Sequence, residues 1–256
     1  MNVLVAGGTG SVGRHVVMRL RQQGHRARIY CRHPRGHVDA VQGDLKTGLN
    51  LDRAVSGMDA IVHAATEAHQ SLRSRGDVKG TRNLLAAAKR AGIKHIVYIS
   101  IVGIDDVAYP YYATKRAVEA LVKQGDVPWS ILRATQFHGL MEILLQGFSR
   151  VPGITSIPFE WKYQPVDARE VADKLVEIVQ GQPAGMLEDF GGPEVHDFKS
   201  IAESWLLARK ETRRLVNLPM PFKFSKQFAE GKLLAPEHRS GKITFAQYLA
   251  EAYPLS

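Results

Sequence analysis

The sequence predicts an α/β protein built on a doubly wound parallel sheet. Short β-branched runs alternate with amphipathic runs from the first residues onward, a pattern typical of parallel strands joined by helices. A glycine-rich turn, GGTGSVG, separates the first strand-like run from the first helix-like run. A hydrophobic content of 45% and a charged content of 23% are ordinary for a globular protein with a sizeable core.

The predicted elements follow one another at short intervals. Residues 2–6 (NVLVA) are a β-branched run that ends in glycines. In residues 11–23, the apolar positions Val12, Val16 and Leu20 share one helical face. The further predicted strands are residues 26–31, 37–42, 59–63, 95–100 and 128–133, and the further predicted helices are residues 77–91, 111–124, 168–179 and 198–208.

The chain changes in character after residue 134, where segments lengthen and prolines become frequent. At about 150 residues per domain, the length of 256 residues suggests one large domain or a domain with a smaller lobe. We therefore expect a first domain over residues 1–134, with residues 165–195 as a segment that could return to it. Residues 135–256 are expected to form a smaller C-terminal α/β lobe that covers the substrate or meets a partner.

Several classes of protein are excluded by simple counts. The single cysteine, Cys31, cannot form an internal disulfide, which argues against a secreted disulfide-rich scaffold. The first apolar run has no charged segment before it, so we expect no signal peptide. No apolar stretch approaches the roughly 18 residues of a membrane span, and we expect a cytoplasmic protein. No group of His, Cys and Asp has metal-ligand spacing, so no metal site is expected.

The glycine-rich turn has the spacing of a dinucleotide-binding loop. Gly7 can make a tight turn, Gly10 allows the backbone to approach a pyrophosphate, and Gly13 allows the following helix to pack closely on the sheet. The free N–H groups and positive end of that helix would face the phosphates. The residues expected at the cofactor are Gly7, Thr9, Gly10, Ser11, Val12 and Gly13.

These motifs resemble the extended and atypical short-chain dehydrogenases/reductases, and most closely their NmrA-like branch. The resemblance rests on the glycine loop, the segments GDL, HAA and GTRNLL, the Tyr-x-x-x-Lys element in YYATK, and the stretches YISIVGID, PYYATKRAVE and LRATQFH. It covers residues 1–200 well and implies a Rossmann fold. It further implies that the adenosine half of the cofactor meets Asp44, Leu45, His63, Ala64 and Ala65, and that Thr135 and Phe137 lie beside the nicotinamide.

The end of the second strand favours NADP(H) over NAD(H). An NAD-selective site usually carries Asp or Glu there, to accept hydrogen bonds from the ribose hydroxyls. This chain has Cys31, Arg32 and His33 instead. A guanidinium can hold a 2′-phosphate through bidentate, charge-assisted hydrogen bonds, so Arg32 and His33 are expected at the cofactor. Arg28 and Arg35 are expected to add to the positive field.

Tyr111 and Lys115 are four residues apart on a predicted helix and therefore project from one face. An ammonium near a phenol stabilises the phenolate, which lowers the pKa of the tyrosine and suits it to acid–base work on a carbonyl or hydroxyl group. The resemblance implies that Lys115 also holds the nicotinamide ribose. Tyr109 and Tyr112 flank Tyr111 and remain alternatives, although the spacing selects Tyr111.

The surroundings of this pair depart from the catalytic set of the family. Members commonly place a Ser or Thr after the fifth strand to polarise the substrate oxygen, and here that place holds Val102. Ser100 is the nearest hydroxyl and is taken as a catalytic candidate, with a strand-end structural role as its alternative. Extended members often carry Asn on the preceding helix, where this chain has Asp77.

Two histidines and their neighbours invite functional interpretations. His63 ends a strand, where a packing or cofactor-lining role is favoured over catalysis. His138 follows the sixth strand, so Gln136, His138 and Tyr112 are candidates for the wall of a substrate pocket. Apolar residues of the C-terminal lobe suggest a hydrophobic substrate, although they could equally be core; they are Phe137, Met141, Phe148, Phe159 and Trp161.

The formal net charge of +9 raises the possibility of a nucleic-acid partner. The densest basic cluster, Arg209, Lys210, Arg213 and Arg214, falls in SWLLARKETRRLV, which has helical periodicity. A solvated helix face is the favoured interpretation. No zinc-finger, helix-turn-helix or aromatic RNA-binding pattern accompanies the charge.

The leading hypothesis is an NADP(H)-dependent oxidoreductase that acts on a small hydrophobic carbonyl, enone or quinone-like substrate. In this hypothesis Tyr111 is the proton donor and Lys115 its electrostatic support. The alternative is a non-enzymatic NADP-binding redox sensor of the NmrA type, which could have a protein partner. Sugar-nucleotide epimerisation is a third option. The sequence does not distinguish a monomer from a dimer.

Overall fold

The computed structural model describes residues 1–34, 36–67 and 76–254 of the chain, and these residues divide into two compact units. The first comprises Met1–Ser100, Pro110–Arg133 and Val171–Glu188. The second comprises Ile101–Tyr109, Ala134–Glu170 and Asp189–Ser256.

The first unit is built on a seven-stranded parallel sheet of order β3-β2-β1-β4-β5-β6-β9. Its strands are β1 (Asn2–Ala6), β2 (Arg26–Cys31), β3 (Ala40–Gln42), β4 (Ala60–His63), β5 (His95–Ile101), β6 (Trp129–Ala134) and, late in the chain, β9 (Gly185–Met186). Its helices are α1 (Gly13–Gln22), α2 (Leu51–Val55), α3 (Gly76–Arg90), α4 (Pro110–Gln124) and most of α6 (Ala168–Gln180). The predicted doubly wound Rossmann-type fold is confirmed.

Parallel pairing explains why these strands have nearly continuous apolar sequences. β1 pairs with β2 on one side and β4 on the other, so Val5 lies between Ile29 and Val62. Both faces of a parallel sheet are covered by helices, which favours β-branched runs without polar alternation. A core cluster that includes Leu4, Ile61 and other fully buried residues lies between the sheet and its helices.

The second unit contains short strands and helices around an aromatic core. Its elements are α5 (His138–Phe148), β7 (Ile154–Ile157), β8 (Lys162–Tyr163), β10 (His196–Asp197), α7 (Phe198–Ala208), β11 (Arg214–Asn217), α8 (Lys223–Ala229) and α9 (Phe245–Ala252). Trp161 stacks on Phe198 with ring centroids 6.2 Å apart, and its Nε1–H donates to Ser225 Oγ at 2.7 Å. Met141 is fully buried as well, and Phe148 packs edge-on against Trp161. Their packing within this core removes the sequence argument for a hydrophobic substrate from these three side chains.

Two local predictions are wrong. The third strand starts at Ala40 rather than residue 37, because the preceding segment turns through Asp39, whose φ is 59°. The basic cluster is not a helix face, because α7 ends at Ala208 and Lys210 has a φ of 55°. Glu211 then forms ion pairs with Arg209 and Arg213, and Arg214 begins β11. Two of the four cations of this cluster therefore share one carboxylate within the chain.

Candidate active site

The glycine loop joins β1 to α1 and is shaped by two close backbone contacts. Gly7 has a φ of +82°, and a Cβ placed there would lie 2.7 Å from the backbone of Ala65. A Cβ on Gly13 would lie 2.2 Å from the Gly7 carbonyl oxygen. A Cβ on Gly10 would meet only that same oxygen, at 3.2 Å. Gly7 and Gly13 are thus required by the fold, whereas Gly10 leaves space in front of the loop.

The N-terminus of α1 is well suited to an anion. Its N-cap residue, Val12, makes no side-chain capping hydrogen bond, and its first turn contains no acidic residue. The Arg14 and His15 N–H groups donate to the backbone carbonyl oxygens of Gly10 and Val12. The positive end of a helix attracts phosphates, and here no carboxylate of the first turn competes for it. Val12, the N-cap residue, is buried, whereas Thr9 and Ser11 are exposed at the loop. Together with the space at Gly10, this arrangement fits the pyrophosphate of a dinucleotide.

The end of β2 carries a small charged cluster that the sequence did not reveal. The Arg32 side chain is 60% exposed, and its Nη1 lies 3.4 Å from Glu67 Oε1. Lys46 Nζ approaches the same carboxylate oxygen at 2.7 Å. His33 is exposed beside them. Two cations therefore converge on one carboxylate where the 2′-phosphate of NADP(H) is predicted to bind.

Arg28 does not contribute to this cluster, which corrects the prediction that it adds to the positive field there. Its Nη1 donates to the carbonyl oxygens of Arg53, Ala54 and Ser56 at 3.1, 3.0 and 2.8 Å. These are the unpaired carbonyls at the C-terminal end of α2, so Arg28 serves as a helix cap. Arg35 lies outside the described residues.

The GDL segment forms a turn that α3 holds in place. Asp44 Oδ1 accepts the Lys46 N–H at 2.8 Å, and Asn83 Nδ2 donates to the Leu45 carbonyl oxygen at 2.7 Å. A Cβ on Gly80 would lie 2.8 Å from Leu45 Cβ. The GTRNLL motif of α3 therefore packs against the turn that carries Asp44 and Leu45, the two residues predicted to meet the adenine.

At the end of β4, His63 is buried and neutral. Its Nε2 lies 2.9 Å from Thr81 Oγ1, and its ring packs 5.2 Å from that of Tyr98. Burial, assisted by the positive charge of Lys115, lowers the pKa of His63 to about 3. A group with this pKa is a poor acid or base near neutral pH, which favours the packing interpretation. Ala64 and Ala65 follow, with the Ala64 N–H donating to the Ala6 carbonyl oxygen at 2.9 Å.

Tyr111 lies in the first turn of α4 and belongs to a hydrogen-bonded chain. Its hydroxyl is 3.2 Å from Thr66 Oγ1, and Thr66 donates to Asp77 Oδ2 at 2.7 Å. Burial raises the pKa of Tyr111, and the nearby Asp77 carboxylate raises it further. The expectation that Lys115 lowers this pKa is therefore wrong, because the pKa of Tyr111 shifts in the opposite direction.

Lys115 is buried one helical turn from Tyr111, and its ammonium group is directed toward β5. Nζ donates to the Ile99 carbonyl oxygen at 2.9 Å and lies 4.4 Å from the centre of the Tyr98 ring. Burial lowers the pKa of Lys115 to about 8, although the carboxylates of Asp77 and Glu119 act in the other direction. The lysine remains mostly charged at neutral pH and fastens α4 to the sheet.

Ser100 and Tyr112 are both buried. Ser100 Oγ makes no hydrogen bond of normal geometry among the described residues, although the Glu119 carboxylate is its neighbour. That carboxylate is occupied by Arg133, which donates to both of its oxygens at 2.8 Å. The Tyr112 ring lies 5.9 Å from that of Tyr111. The catalytic role of Ser100 and the pocket role of Tyr112 remain predictions.

The four predicted site residues after β6 lie in the second unit and have contacts there. Thr135 Oγ1 accepts the Gly192 N–H at 3.1 Å. Gln136 Nε2 donates to the Leu233 carbonyl oxygen at 3.1 Å, and His138 Nε2 lies 3.0 Å from the Ile243 carbonyl oxygen. Phe137 forms a backbone bridge to Val166. The roles predicted for these four residues at the cofactor and substrate pocket also remain predictions.

Within the first unit, the predicted residues gather where parallel strands end. The loops after β1, β2 and β4 carry the glycines, Arg32 and the HAA segment, and ligands of open α/β sheets bind outside the carboxyl ends of such strands. Sequence reasoning missed Thr66, Lys46 and Glu67. The only available signal was position, since Thr66 and Glu67 closely follow the end of β4 and Lys46 follows the GDL segment.

Comparison with known proteins assigns the class. The NAD(P)H-binding family matches residues 7–142, which is more than half of the chain. The chain belongs to this family, and its resemblance to NmrA-like short-chain dehydrogenases/reductases is confirmed.

Curated relatives include several reductases. A ceramide reductase of Caulobacter vibrioides is 29% identical over 73% of this chain and 63% of its own length. A (4-alkanoyl-5-oxo-2,5-dihydrofuran-3-yl)methyl phosphate reductase of Streptomyces griseus is 28% identical over 87% of this chain and 76% of its own. The photosystem II assembly factor Ycf39 of Trieres chinensis is 27% identical over 56% of this chain. The chain spans less than two thirds of the first of these relatives and 48% of Ycf39.

Solved structures share the fold at low identity. A short-chain dehydrogenase/reductase superfamily protein of Agrobacterium tumefaciens with bound NAD has a TM-score of 0.76 at 22% identity and covers 99% of this chain and 96% of that one. An NADPH-dependent quinone oxidoreductase of Escherichia coli has a TM-score of 0.74 at 15% identity, covering 98% and 99%. A UDP-glucose 4-epimerase of Thermotoga maritima has a TM-score of 0.77 at 16% identity, covering 97% and 96%.

Two features are absent from the described ranges (1–34, 36–67 and 76–254). No helix in them is both long and apolar enough to cross a membrane. No group of three or more His, Cys, Asp or Glu side chains in them could hold a metal ion.

Proposed function

We propose that this protein is an NADP(H)-dependent oxidoreductase that reduces a carbonyl, enone or quinone-like substrate. The observation that carries the proposal is the placement of Tyr111. Its hydroxyl belongs to a hydrogen-bonded series with Thr66 and Asp77, and the buried Lys115 lies one helical turn away. The same unit contains the glycine loop, whose geometry suits a phosphate group. A proton donor on a dinucleotide-binding domain is what carbonyl reduction requires.

The residues of the chain have distinct roles in this proposal. Gly10 and the N-terminus of α1 hold the pyrophosphate, and a bound nicotinamide supplies the hydride. Tyr111 donates the proton to the substrate oxygen. Its raised pKa suits this direction, because the phenol stays protonated until the substrate oxygen becomes more basic. Lys115 fixes α4, the helix that carries Tyr111, on β5 through its hydrogen bond to the Ile99 carbonyl oxygen.

NADP(H) is proposed over NAD(H) because of the charges at the end of β2. No carboxylate stands among residues 31–33, and Arg32 and Lys46 present cations to the same point. Glu67 partly neutralises them, and its side chain is 25% exposed. Displacement of Glu67 by a phosphate would exchange one anion for another of higher charge and more acceptor atoms.

The proposed substrate class rests on the proton donor Tyr111 and on the names of the relatives. A ceramide reductase, a furanone phosphate reductase and, by fold, a quinone oxidoreductase all carry reductase or oxidoreductase names. We propose a small carbonyl-type substrate for this chain, with hydrophobic members to be tried first.

A second candidate is the NADP-binding redox sensor. Val102, which is buried, stands where the family commonly has a catalytic hydroxyl. A protein that lacks this hydroxyl could bind the dinucleotide without turning it over, and Ycf39 shows that relatives include an assembly factor.

The test is NADPH consumption in the presence of a panel of quinones, enones and ketones, with NADH run in parallel. The proposal predicts substrate-dependent consumption of NADPH that a Gly10→Val variant lacks. A Thr114→Val variant is the control, since Thr114 lies on α4 and its hydroxyl donates to the Pro110 carbonyl oxygen within the same helix. Tight NADPH binding with no consumption across the panel would favour the sensor. Consumption of NADH in preference to NADPH would overturn the cofactor assignment.

A further inference from the structure

The hydrogen bonds around Tyr111 assign a direction to each proton. Asp77 accepts with both carboxylate oxygens: Oδ2 from the Thr66 hydroxyl at 2.7 Å, and Oδ1 from the Glu67 N–H at 3.1 Å. The single proton of the Thr66 hydroxyl is therefore committed to Asp77. In the 3.2 Å contact between Thr66 Oγ1 and the Tyr111 hydroxyl, Thr66 can only accept, and Tyr111 must donate.

These hydrogen bonds argue against one role for Thr66 and support another. A hydroxyl that polarises a substrate carbonyl must donate to it, and the only proton of Thr66 already points to Asp77. Thr66 cannot take over the role of the hydroxyl that is absent at Val102 without breaking that bond. The arrangement is instead a continuous donor–acceptor series from the Tyr111 phenol through Thr66 to the Asp77 carboxylate.

We propose that Thr66 and Asp77 are positioning residues that form a proton relay to Tyr111, with Asp77 as its solvent-side end. The inference rests on the proposed function, since it deepens the role of Tyr111 as proton donor. Asp77 is only partly buried and Thr66 is exposed, so the far end of the relay can exchange protons with water.

The proton balance of the relay is simple. As hydride adds to the carbonyl carbon, the π electron pair of the C=O bond moves to oxygen, which takes the Tyr111 proton, so that the phenol O–H bond breaks. Asp77 takes a proton from a hydronium ion at its solvent side, which leaves water, and the protonated carboxyl then donates to Thr66 Oγ1. The Thr66 hydroxyl gives up its bond to Asp77 and passes its own proton to the phenolate, so both hydrogen bonds reverse during the transfer. The substrate gains one hydride and one proton, and the three side chains end in their starting states.

The groups that face the Tyr111 hydroxyl come from several elements. Asp77 at the start of α3 is the negative group, and Tyr98 on β5 is a second phenol that interacts with Tyr111. Lys115 on α4 interacts in turn with the Asp77 carboxylate. Removing the negative charge of Asp77 should therefore lower the pKa of Tyr111, because that charge opposes formation of the phenolate.

The first arm of the test reads the hydrogen bond without catalysis. Tyrosines are labelled with carbon-13 at Cζ, and the Tyr111 resonance is identified by its loss in Tyr111→Phe. Thr66→Val should change the chemical shift of this resonance at neutral pH. Thr66→Ser, which keeps the hydroxyl, and the control Thr114→Val should both leave the chemical shift as in the wild type. Asp77→Asn should move the Tyr111 titration to lower pH. Asp52→Asn is its matched control, because Asp52 occupies the second position of α2 as Asp77 does in α3. A Tyr111 resonance unmoved by Thr66→Val would overturn the proposal.

The second arm uses the best substrate from the panel. Thr66→Val should lower kcat about 10-fold, less than the 10²–10⁴-fold typical of losing the acid itself, with the dissociation constant of NADPH unchanged. Thr66→Ser should restore the rate. In mixtures of light and heavy water, the wild-type rate should curve with deuterium content, because more than one proton moves, and this curvature should vanish in Thr66→Val. Retained curvature would overturn the relay.

The two arms separate the relay from the proposed function. Absence of turnover with every substrate is a failure of the proposed function, and the resonance arm still decides whether Tyr111 donates to Thr66. Turnover that requires Tyr111, together with an unmoved resonance in Thr66→Val, is a failure of the relay alone.

Discussion

The glycine loop and the surroundings of Tyr111 differ in what they are made of. At the loop, backbone positions decide the geometry: two glycines are required by contacts of 2.2 and 2.7 Å, and the helix that follows has no side-chain cap from its N-cap residue and no acidic residue in its first turn. Around Tyr111, side chains from the β4 loop, α3 and α4 meet in one hydrogen-bonded series. The loop is suited to hold the constant charge of a pyrophosphate, whereas the surroundings of Tyr111 are suited to move a proton.

This contrast predicts that mutations at the two sites impair different quantities, turnover at Tyr111 and cofactor binding at the glycine loop. The largest effect is expected at Tyr111. Tyr111→Phe should reduce turnover about 10²–10⁴-fold, because it removes the general acid, and should leave the dissociation constant of NADPH nearly unchanged. Steady-state kinetics and calorimetric titration measure the two quantities. A fully active Tyr111→Phe would move the proton donor to another residue, with Tyr112 and His138 as the first to test.

Mutation of the glycine loop should instead impair binding of the dinucleotide. Gly10→Val should weaken dinucleotide binding at least about 100-fold, since the loss of phosphate hydrogen bonds of roughly 1.5–3 kcal/mol each adds up quickly. The circular dichroism spectrum should stay native, because only the Gly7 carbonyl oxygen lies near the new side chain. Gly13→Ala is the contrast: its Cβ clashes with the loop itself, so thermal stability should fall. Undiminished NADPH affinity in Gly10→Val would mean that the phosphate site lies elsewhere.

The pH dependence of stability tests whether His63, at the end of β4, is a buried and neutral packing residue. Its pKa of about 3 in the folded chain lies below the ordinary 6.5, so the unfolded chain binds more protons between these values, and stability falls as pH drops below about 6.5. Between about pH 6.5 and about pH 5, this loss amounts to about 2 kcal/mol. His63→Gln, which can still reach Thr81, should lack it. Urea unfolding of both proteins at the two pH values gives the double difference, and equal pH dependence would contradict the buried, neutral state.

Arg32 should have the smallest effect, and only on one cofactor. Arg32→Ala should weaken NADPH binding about 10-fold, near the lower limit for a bond to a charged group, because the side chain is exposed and shares Glu67 with Lys46. NADH binding should hardly change. Arg28→Ala is the control on the same strand: it should lower stability by uncapping α2 and leave the ratio of the two affinities intact. Equal losses for both dinucleotides in Arg32→Ala would argue against a 2′-phosphate at this point.

The same contrast explains what the sequence could and could not predict. The alternation of strands and helices, the glycine loop and the helix of Tyr111 follow from local patterns, because periodicity and glycine spacing are properties of neighbouring residues. The partnership of Tyr111 with Thr66 joins residues 45 positions apart, and no local pattern encodes it. The Arg32–Glu67–Lys46 cluster has the same origin, since its members come from three separate loops.

Two errors have a common physical cause as well. The sequence predicts that Arg28 adds to the positive field around the 2′-phosphate and that the basic cluster after Ala208 lies on a helix, because charge and periodicity carry no information about the partners that the fold supplies. The α2 carbonyls take up Arg28, and Glu211 takes up Arg209 and Arg213. Long charged side chains find their partners only in the folded chain.

The most direct test of the account is a crystal structure of the protein with NADPH. The account predicts the pyrophosphate at Gly10 and the N-terminus of α1, the 2′-phosphate on Arg32 with Glu67 displaced, and the Tyr111 hydroxyl facing an enclosed space beside nicotinamide C4. The Thr66 bond to Asp77 should persist in that complex. A nicotinamide remote from Tyr111, or a 2′-phosphate that leaves the Arg32–Glu67 pair intact, would contradict the claim that these two regions are the ends of one NADPH site.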